Sequence, residues 1–524
     1  MTIRIMFLVL AILVLATGCD WVGASTVASD GTQANNHSVL PAISDDGRVV
    51  AYSSIATNLV PNDTNATQDI FVHDHETATT ERVSVPASGK QANGASYRSA
   101  LSDDGRYVVF HSIATNLVAD DTNGVADVFR HDRQTGETIR ISTPLPEGQA
   151  NGASTFAAID GDGDVIAFMS EADNLVAGDT NGVVDVFVRD LGAGTIERVS
   201  TDFLDAEVPA PSHYPSVDDA GDLVSFVTAG DLVLADGNGG TDVYVAQRST
   251  GQRWLTTDGD AVDDDLSIPR IAGDGSHLAY VAEDAHFIAD SNGVPDVYRV
   301  ELSGSFSQRI VSYELGGDND DGGFGPSISD DGREVTFRTT SGLLAADTDG
   351  TWDAYAWFIG SDAGDFHNLL LVDMDRVRVD HGNGVPGSSV VSGDGRFVAW
   401  ATDSDNVFPN DANGVVDIVN RSIATPWDLT ADPANPTVAP GTAEVLVFTG
   451  TVMDPAADVW IFGAAGVSID GVAFVDFDTI EVTVSAAPDA SPGARTLVVE
   501  HPDASWSSAA GSGDLCQLCV VVAP

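Results

Sequence analysis

Seven times along the chain, two acids and a middle carboxylate or amide stand at the same spacing: Asp63, Asn65 and Asp69; Asp121, Asn123 and Asp127; Asp179, Asn181 and Asp185; Asp236, Asn238 and Asp242; Asp290, Asn292 and Asp296; Asp347, Asp349 and Asp353; Asp411, Asn413 and Asp417. The pattern is D-x-[ND]-G-x-x-D, with Ala66 standing once in the glycine's place. Carboxylates, an amide carbonyl and a backbone carbonyl are oxygen donors for a hard divalent cation, calcium above all, and glycine allows the sharp bend such a loop needs. The same residues are equally good turn chemistry without a metal, the first Asp accepting backbone N–H groups and the last bracing a strand. The acid that would open a full calcium loop is missing, since Pro61, Ala119 and Ala177 stand two residues before the first Asp. Any cation site is therefore incomplete, partly hydrated and weak. Both readings stay open: many carboxylates on one face repel one another, and few cations are available to pair them.

The elements that position these motifs are read from a repeat. A short turn, SDDG at Ser44 to Gly47, returns at Ser102, Asp160, Asp218, Ala272, Ser329 and Ser392, with closing glycines Gly47, Gly105, Gly163, Gly221, Gly275, Gly332 and Gly395 spaced by 54 to 63 residues. Each unit has one order, shown best by the second: QANGASYRSALS, SDDG, RYVVFHS, the Asp loop, DVFRHD, RQTG, ETIRIS. Short apolar runs bounded by turns, such as Tyr107 to Phe110, predict four strands per unit. Units of this kind stack radially, and seven of them predict a seven-bladed β-propeller. In an antiparallel four-stranded blade the first and third connections share one end, so the SDDG turns lie on one face. The Asp loops and the QANGAS links share the other, where long loops on a rigid scaffold place the functional face.

The units resemble the TolB and WD-repeat-like propeller families, whose repeats carry S-x-D-G-x-x-[IVL]-[AV]-[FY] followed by D-[IV]-[FY]-V-x-D. The matching residues are Ser102, Asp104, Gly105, Val108, Val109 and Phe110, with Asp69 to Asp74 or Asp185 to Asp190 as the second half. The resemblance runs from Val27 to near Thr425 and implies the fold. It does not carry over TolB's role in its envelope complex, because TolB has fewer blades and a different partner domain and propellers host many functions. The Asp loops are also close to the middle of an EF-hand-like or thrombospondin-like calcium loop. Near the mature N-terminus, ASTVASDGTQANN aligns with the segment before the second unit, so Ala24 to Ala28 are expected to complete blade seven as its outermost strand and hide an open edge.

Charge narrows the partners. Lys90 is the only lysine, Lys and Arg together number 23 against 79 acids, and the net charge of −56 argues against nucleic acid and anionic membrane surfaces. Of those acids 65 are Asp, the turn and hard-cation acid, though a lysine-poor acidic surface is also a salt adaptation. Residues 1–18 have the layout of a secretory leader, with Arg4, an apolar run from Ile5 to Ala16 and small residues before Cys19. The run LATGC resembles a bacterial lipobox, which implies a lipid anchor on Cys19; the alternative is an ordinary leader with an incidental cysteine. The expectation is an exported chain tethered to the membrane of a bacterial cell envelope, on the periplasmic side of the inner membrane or the cell surface, with Asp20 resembling an inner-membrane retention signal.

The propeller is expected to span 19–426. From 427 to 506 the pattern changes and resembles an IPT/TIG or related Ig-like β-sandwich, through Pro440-Gly441, Phe448 to Gly450 and Ser491 to Thr496. Such modules imply a spacer, the role expected here, or an adhesive, carbohydrate-contacting domain. The tail, 507–524, carries Cys516 and Cys519, for which a local disulfide is expected in an exported chain. The fold class is thus all-β, a seven-bladed propeller followed by a small Ig-like sandwich. Catalytic signatures are scarce: G-x-S-x-G is missing, and His73-Asp74-His75 is the one close histidine pair. The expected function is a non-enzymatic binding module for an envelope protein or glycan, with calcium as a candidate cofactor; the alternative is a polysaccharide-active lyase or hydrolase on the same scaffold.

Overall fold

A computed structural model describes residues 22–423 apart from 147, 235, 237–238, 257–267, 283–293, 303–307, 311–321, 344–350, 359–367, 374–385, 408–410 and 412, and beyond 423 a set of strands between 430 and 522. The leader and Cys19 lie outside the described residues. By its contacts the chain divides into one unit of Gly23–Ala424 and another holding the segment from Thr425 onward.

The larger unit is a ring of seven antiparallel four-stranded sheets. Blade one is Ser38–Ile43, Val49–Ser54, Asp69–Asp74 and Thr79–Arg82, and blade two is Ser96–Leu101, Tyr107–Ser112, Asp127–Asp132 and Glu137–Arg140. Blades three to six repeat this order, their first strands being Ser154–Ile159, Ser212–Val217, Arg270–Ile271 and Phe324–Ile328. Blade seven is composite: Pro386–Val391, Phe397–Thr402 and Asp417–Ser422 are joined on the outside by Val22–Ala24. The N-terminal strand thus closes the ring, but lies earlier than the expected Ala24 to Ala28. After Ala24, Ser25 still donates its N–H to Ile418, and Thr26 then turns its hydroxyl onto Asp417.

Second strands are buried throughout, as Val49–Ser54 and Val165–Ser170 show, because each lies between two neighbouring blades. Phe and Tyr pairs fill the spaces: Tyr52 with Phe71, Phe110 with Phe129, Phe168 with Phe187. First strands touch the first strands of both neighbours all round the ring, so they line its central opening.

The SDDG turn folds for a local reason. Ser44 Oγ donates to Asp46 and accepts from the Val49 N–H, while Asp46 also accepts from the Arg48 N–H. Gly47 sits at φ 73°, and a Cβ there would fall inside the Phe397 ring of blade seven, so both conformation and space require glycine. Adjacent turns are stitched by backbone bonds: Asp45 N–H to Asp103, Asp103 to Gly161, Gly161 to Asp219, Asp219 to Gly273, Asp274 to Asp330, Asp330 to Gly393 and Asp394 to Asp45. The chain of donors returns to its start.

In the C-terminal unit two four-stranded sheets are described by their backbone. One runs Thr430–Asp432, Ala443–Thr449, Thr479–Ala486, Val467–Asp476; the other Thr437–Val438, Cys516–Val522, Gly493–Glu500, Asp458–Phe462. The tail is therefore not separate from the module, since Cys516 pairs with Val499 and Cys519 with Thr496. At ~3.4 Å per residue, three steps of extended strand separate the two cysteines by about 10 Å, so a local disulfide would require that strand to open.

Candidate functional site

The recurrent Asp loops fold as braces. In blade one, Asn65 Nδ2 donates to Asp69 at 2.8 Å and to the Ala92 carbonyl at 3.3 Å, tying the loop to the link that leads into the next blade. Asn123, Asn181 and Asn413 repeat the bond to Asp127, Asp185 and Asp417, and reach the carbonyls of Ala150, Val208 and Ala34. The other oxygen of the last Asp accepts a hydroxyl from the outer strand: Ser84 to Asp69, Ser142 to Asp127, Ser200 to Asp185, and, across the ring closure, Thr26 to Asp417 at 2.5 Å. Glycine follows the Asn in the left-handed region at Gly124 and Gly182, and Ala66 adopts φ 51° in its place.

Between the two carboxylates of blades one to three lies a cation of the chain's own. Arg82 is 3.2 Å from Asp63 and 3.4 Å from Asp69; Arg140 is 3.5 Å from Asp121 and 3.3 Å from Asp127; Arg198 is 2.9 Å from Asp179 and 3.2 Å from Asp185. Each guanidinium is buried and comes from the outer strand, two residues before the serine. Burial raises the carboxyls of Asp63, Asp121 and Asp179, and the arginines oppose that rise. The donor set therefore does not fit calcium here: the Asn carbonyl oxygen already accepts the backbone N–H two residues on, at Thr67, Val125 and Val183, and an ion would have to displace a guanidinium.

Blade four does without the arginine. Asp236 accepts instead from the Tyr244 hydroxyl, and Leu255 occupies the register position of Arg198. Asp242, Asp296 and Asp353 are buried at the strand starts, while Asn238, Asp290, Asn292, Asp347 and Asp349 lie outside the described residues. In blade seven burial pushes Asp417 up to about 6, and also raises Asp411. Among the described residues no three His, Cys, Asp or Glu side chains are grouped to hold a metal ion. His73 and His75 act as a clasp: His73 Nδ1 meets Thr80 Oγ1 at 2.8 Å, and His75 Nε2 meets Ser25 Oγ at 3.0 Å, just past the closing strand.

Sequence reasoning missed the lining of the central opening. One residue near the start of the first strand is left-handed in five blades, the third at Leu40, Arg98, Phe156 and Tyr214 and the second at Gly325, with φ of 48° to 62°, and the register slips around each. A non-glycine residue in this region is uncommon, and such bulges re-aim side chains. Here they bring aromatic and cationic groups together. Arg98 stacks over Phe156 at 4.1 Å, His111 stacks on Phe156 from its other neighbour strand at 6.3 Å, and Tyr214 meets the Phe156 ring edge at 5.1 Å. No motif announces this cluster, because its members occupy one place in the repeat but differ in residue type.

The opposite end of the opening is acidic. Asp45, Asp103, Asp219 and Asp330 alternate round the turns with Gly161, Gly273 and Gly393, at each of which a Cβ would collide with a neighbouring carboxylate. Burial, then mutual repulsion, pushes Asp103 up to about 6, Asp219 to about 7 and Asp330 to about 8.

The class these features define is the seven-bladed β-propeller. No family model matches the chain, and no curated protein matches it. Among solved structures it is similar to a TolB-type protein of Agrobacterium tumefaciens, at 15% identity over 66% of this chain and 95% of that one, TM-score 0.34. It is also similar to an oligogalacturonate lyase of Vibrio parahaemolyticus, at 14% identity over 78% and 99%, TM-score 0.44, and to the WD40 repeats of RRP9, at 12% over 78% and 99%, TM-score 0.41.

Proposed function

We propose that this propeller is a non-enzymatic binding module of a bacterial cell envelope, exported by its leader, tethered through Cys19, and engaging an envelope protein or glycan with its long-loop face. The observation that carries the reading is where the exposed apolar side chains lie. Among the described residues the large ones are Ile55, Ile113, Leu145, Phe203, Leu204 and Leu234. Every one belongs to an Asp loop or an inter-blade link, hence to one face.

Leu204 and Leu234 are 73% and 86% exposed, and the Phe203 N–H bonds the Leu232 carbonyl, so the link into blade four and that blade's loop form one apolar patch. In a chain of net charge −56, clustered exposed apolar groups mark an interaction surface. A calcium requirement is a weaker part of the proposal, confined to loops other than those of blades one to three.

The test is binding of the purified mature protein to envelope fractions and to a glycan panel. The triple variant F203S/L204S/L234S should lose at least ten-fold in affinity with an unchanged melting temperature. Equal binding by that variant would remove this face from the proposal, and turnover of a polysaccharide by the wild type would replace binding with catalysis. Chelator should leave the melting of blades one to three unchanged, and a calcium-dependent shift of several degrees would place ions in the remaining loops.

A further inference from the structure

The blades contribute unequally to the central opening. At the left-handed place of the first strand, blades two, three and four carry Arg98, Phe156 and Tyr214, whereas blade six makes the same bend with Gly325. A Cβ on Gly325 would meet nothing nearer than the Arg338 side chain at 4.0 Å, so that side of the ring is open space. Glycine adopts this backbone without strain, so the bend alone does not call for large side chains, each of which holds a costly conformation. Their packing is continuous. Tyr97 stacks on His111 at 5.7 Å, His111 on Phe156 at 6.3 Å with the planes 11° apart, Tyr214 meets the Phe156 edge at 5.1 Å, and Arg98 lies over the Phe156 ring at 4.1 Å. Rings from three adjacent blades thus form one band near the link end of the first strands, where Tyr97 and His111 face each other in register. All these side chains are half-buried. Among the described residues the Tyr97 and Tyr214 hydroxyls and the Arg98 guanidinium make no hydrogen bond or ion pair, Arg98 being held through its backbone N–H to Ser53. Burial, then the Arg98 charge, lowers His111 to about 4, so its ring is neutral near pH 7.

Half-exposed rings edged by unpaired hydroxyl and guanidinium donors suit a ligand that is apolar on one face and hydroxylated at its rim. We infer that this band is a binding platform for a neutral hexopyranose unit of a glycan, its C–H face against the aromatic rings and its hydroxyls bonded to Arg98, Tyr97 and Tyr214. Rigid aromatic side chains give contact area at little entropic cost, and a few placed polar groups fix the ligand's orientation. The other ligand chemistries fit less well. A purely apolar molecule would cover the guanidinium and both hydroxyls and leave them unpartnered. A cation is repelled by Arg98, and an anion is opposed by the field of a chain of net charge −56. The inference rests on the reading of the chain as an envelope-binding module and names the glycan as the ligand of the central opening, separate in residues from the Phe203, Leu204 and Leu234 patch.

Isothermal titration of the full mature chain is the test, with cellotetraose, maltotetraose and tetra-N-acetylchitotetraose as neutral glycans, tetragalacturonate as a charged one and phenol as an apolar ring. At least one neutral glycan should bind at millimolar concentration or below, ten-fold or more tightly than tetragalacturonate and than phenol. F156G, which suits the left-handed backbone and removes the ring, should weaken that binding at least ten-fold at an unchanged melting temperature, and Y214F and R98Q at least three-fold, while R48Q, a surface arginine paired with Glu76, leaves it unchanged. The wild-type comparison and Y214F, which keeps its ring, decide the matter even if F156G fails to fold. No binding of the three neutral glycans at 20 mM, tighter binding of tetragalacturonate, equal binding of phenol, or undiminished binding by a folded F156G would each overturn the inference. Envelope binding that persists when no sugar binds sinks only this inference, whereas sugar binding by a chain that ignores envelope fractions supports the platform and removes the wider reading.

Discussion

Phe187 faces Arg198 across the third and fourth strands of blade three, and Tyr244 faces Leu255 at the same place in blade four. The exchange is consistent round the ring: Phe71 with Arg82 and Phe129 with Arg140 on one side, Tyr298 with Ile310 and Tyr355 with Leu371 on the other. In blade four the Tyr244 hydroxyl takes the guanidinium's place as donor to the first Asp of the loop. Arg198→Leu should therefore destabilise the protein by about 3–5 kcal/mol in denaturant unfolding, since it leaves Asp179 and Asp185 buried together. The double variant Phe187→Tyr/Arg198→Leu should recover part of that loss. No recovery would mean that the two kinds of blade are braced independently of this pair. The carboxylates were legible in the sequence as a motif, but their partner was not, because it arrives from 13 residues further on in another strand. A signal was present all the same: Arg82-Val-Ser84, Arg140-Ile-Ser142 and Arg198-Val-Ser200 end the outer strands of those three units and no others.

At the scale of elements, the repeat spacing predicted four strands per unit and closure by the N-terminus, and both are found. Their legibility has a physical cause: turn glycines and buried apolar strands recur with the fold itself. The edge of the closing strand moved because the aligned segment includes the link as well as the strand, and composition does not mark where pairing stops. Thr26 is the residue that fastens this closure, donating to Asp417 and accepting from the Ile418 N–H at 3.3 Å while fully buried. Thr26→Val keeps the shape and removes both bonds, and should cost about 1–3 kcal/mol, read as a lower denaturant midpoint. An unchanged midpoint would show that the ring is held shut elsewhere. The inner-strand bulges were not legible, since a left-handed Arg98 or Phe156 has no sequence mark of the kind glycine gives.

For the whole molecule, acidic charge is gathered at the turn end of the ring, where Asp45, Asp103, Asp219 and Asp330 crowd the glycines of the neighbouring turns. The raised carboxyls of Asp103, Asp219 and Asp330 mean that the folded protein holds protons up to pH values of about 6 to 8 that an unfolded chain releases near the ordinary 3.8. Stability from these groups is therefore present at the acidic side of that window and is lost as the pH rises through it. Melting should occur a few degrees higher at about pH 5 than at about pH 8.5, and Asp330→Asn should flatten the difference. A melting temperature that rises with pH across this range would contradict the acidic ring.

On the proposed function, the long-loop face divides into Asp motifs that brace the ring and apolar side chains that would bind a partner. Affinity for the envelope fraction per folded molecule, measured side by side for F203S/L204S/L234S and for Asp121→Asn in the brace of blade two, tests that division most directly. The patch variant should bind at least ten-fold more weakly at full stability, while the brace variant should melt earlier and bind as the wild type does. Weak binding by a fully folded Asp121→Asn protein, together with undiminished binding by the patch variant, would contradict it and return the function to the Asp loops.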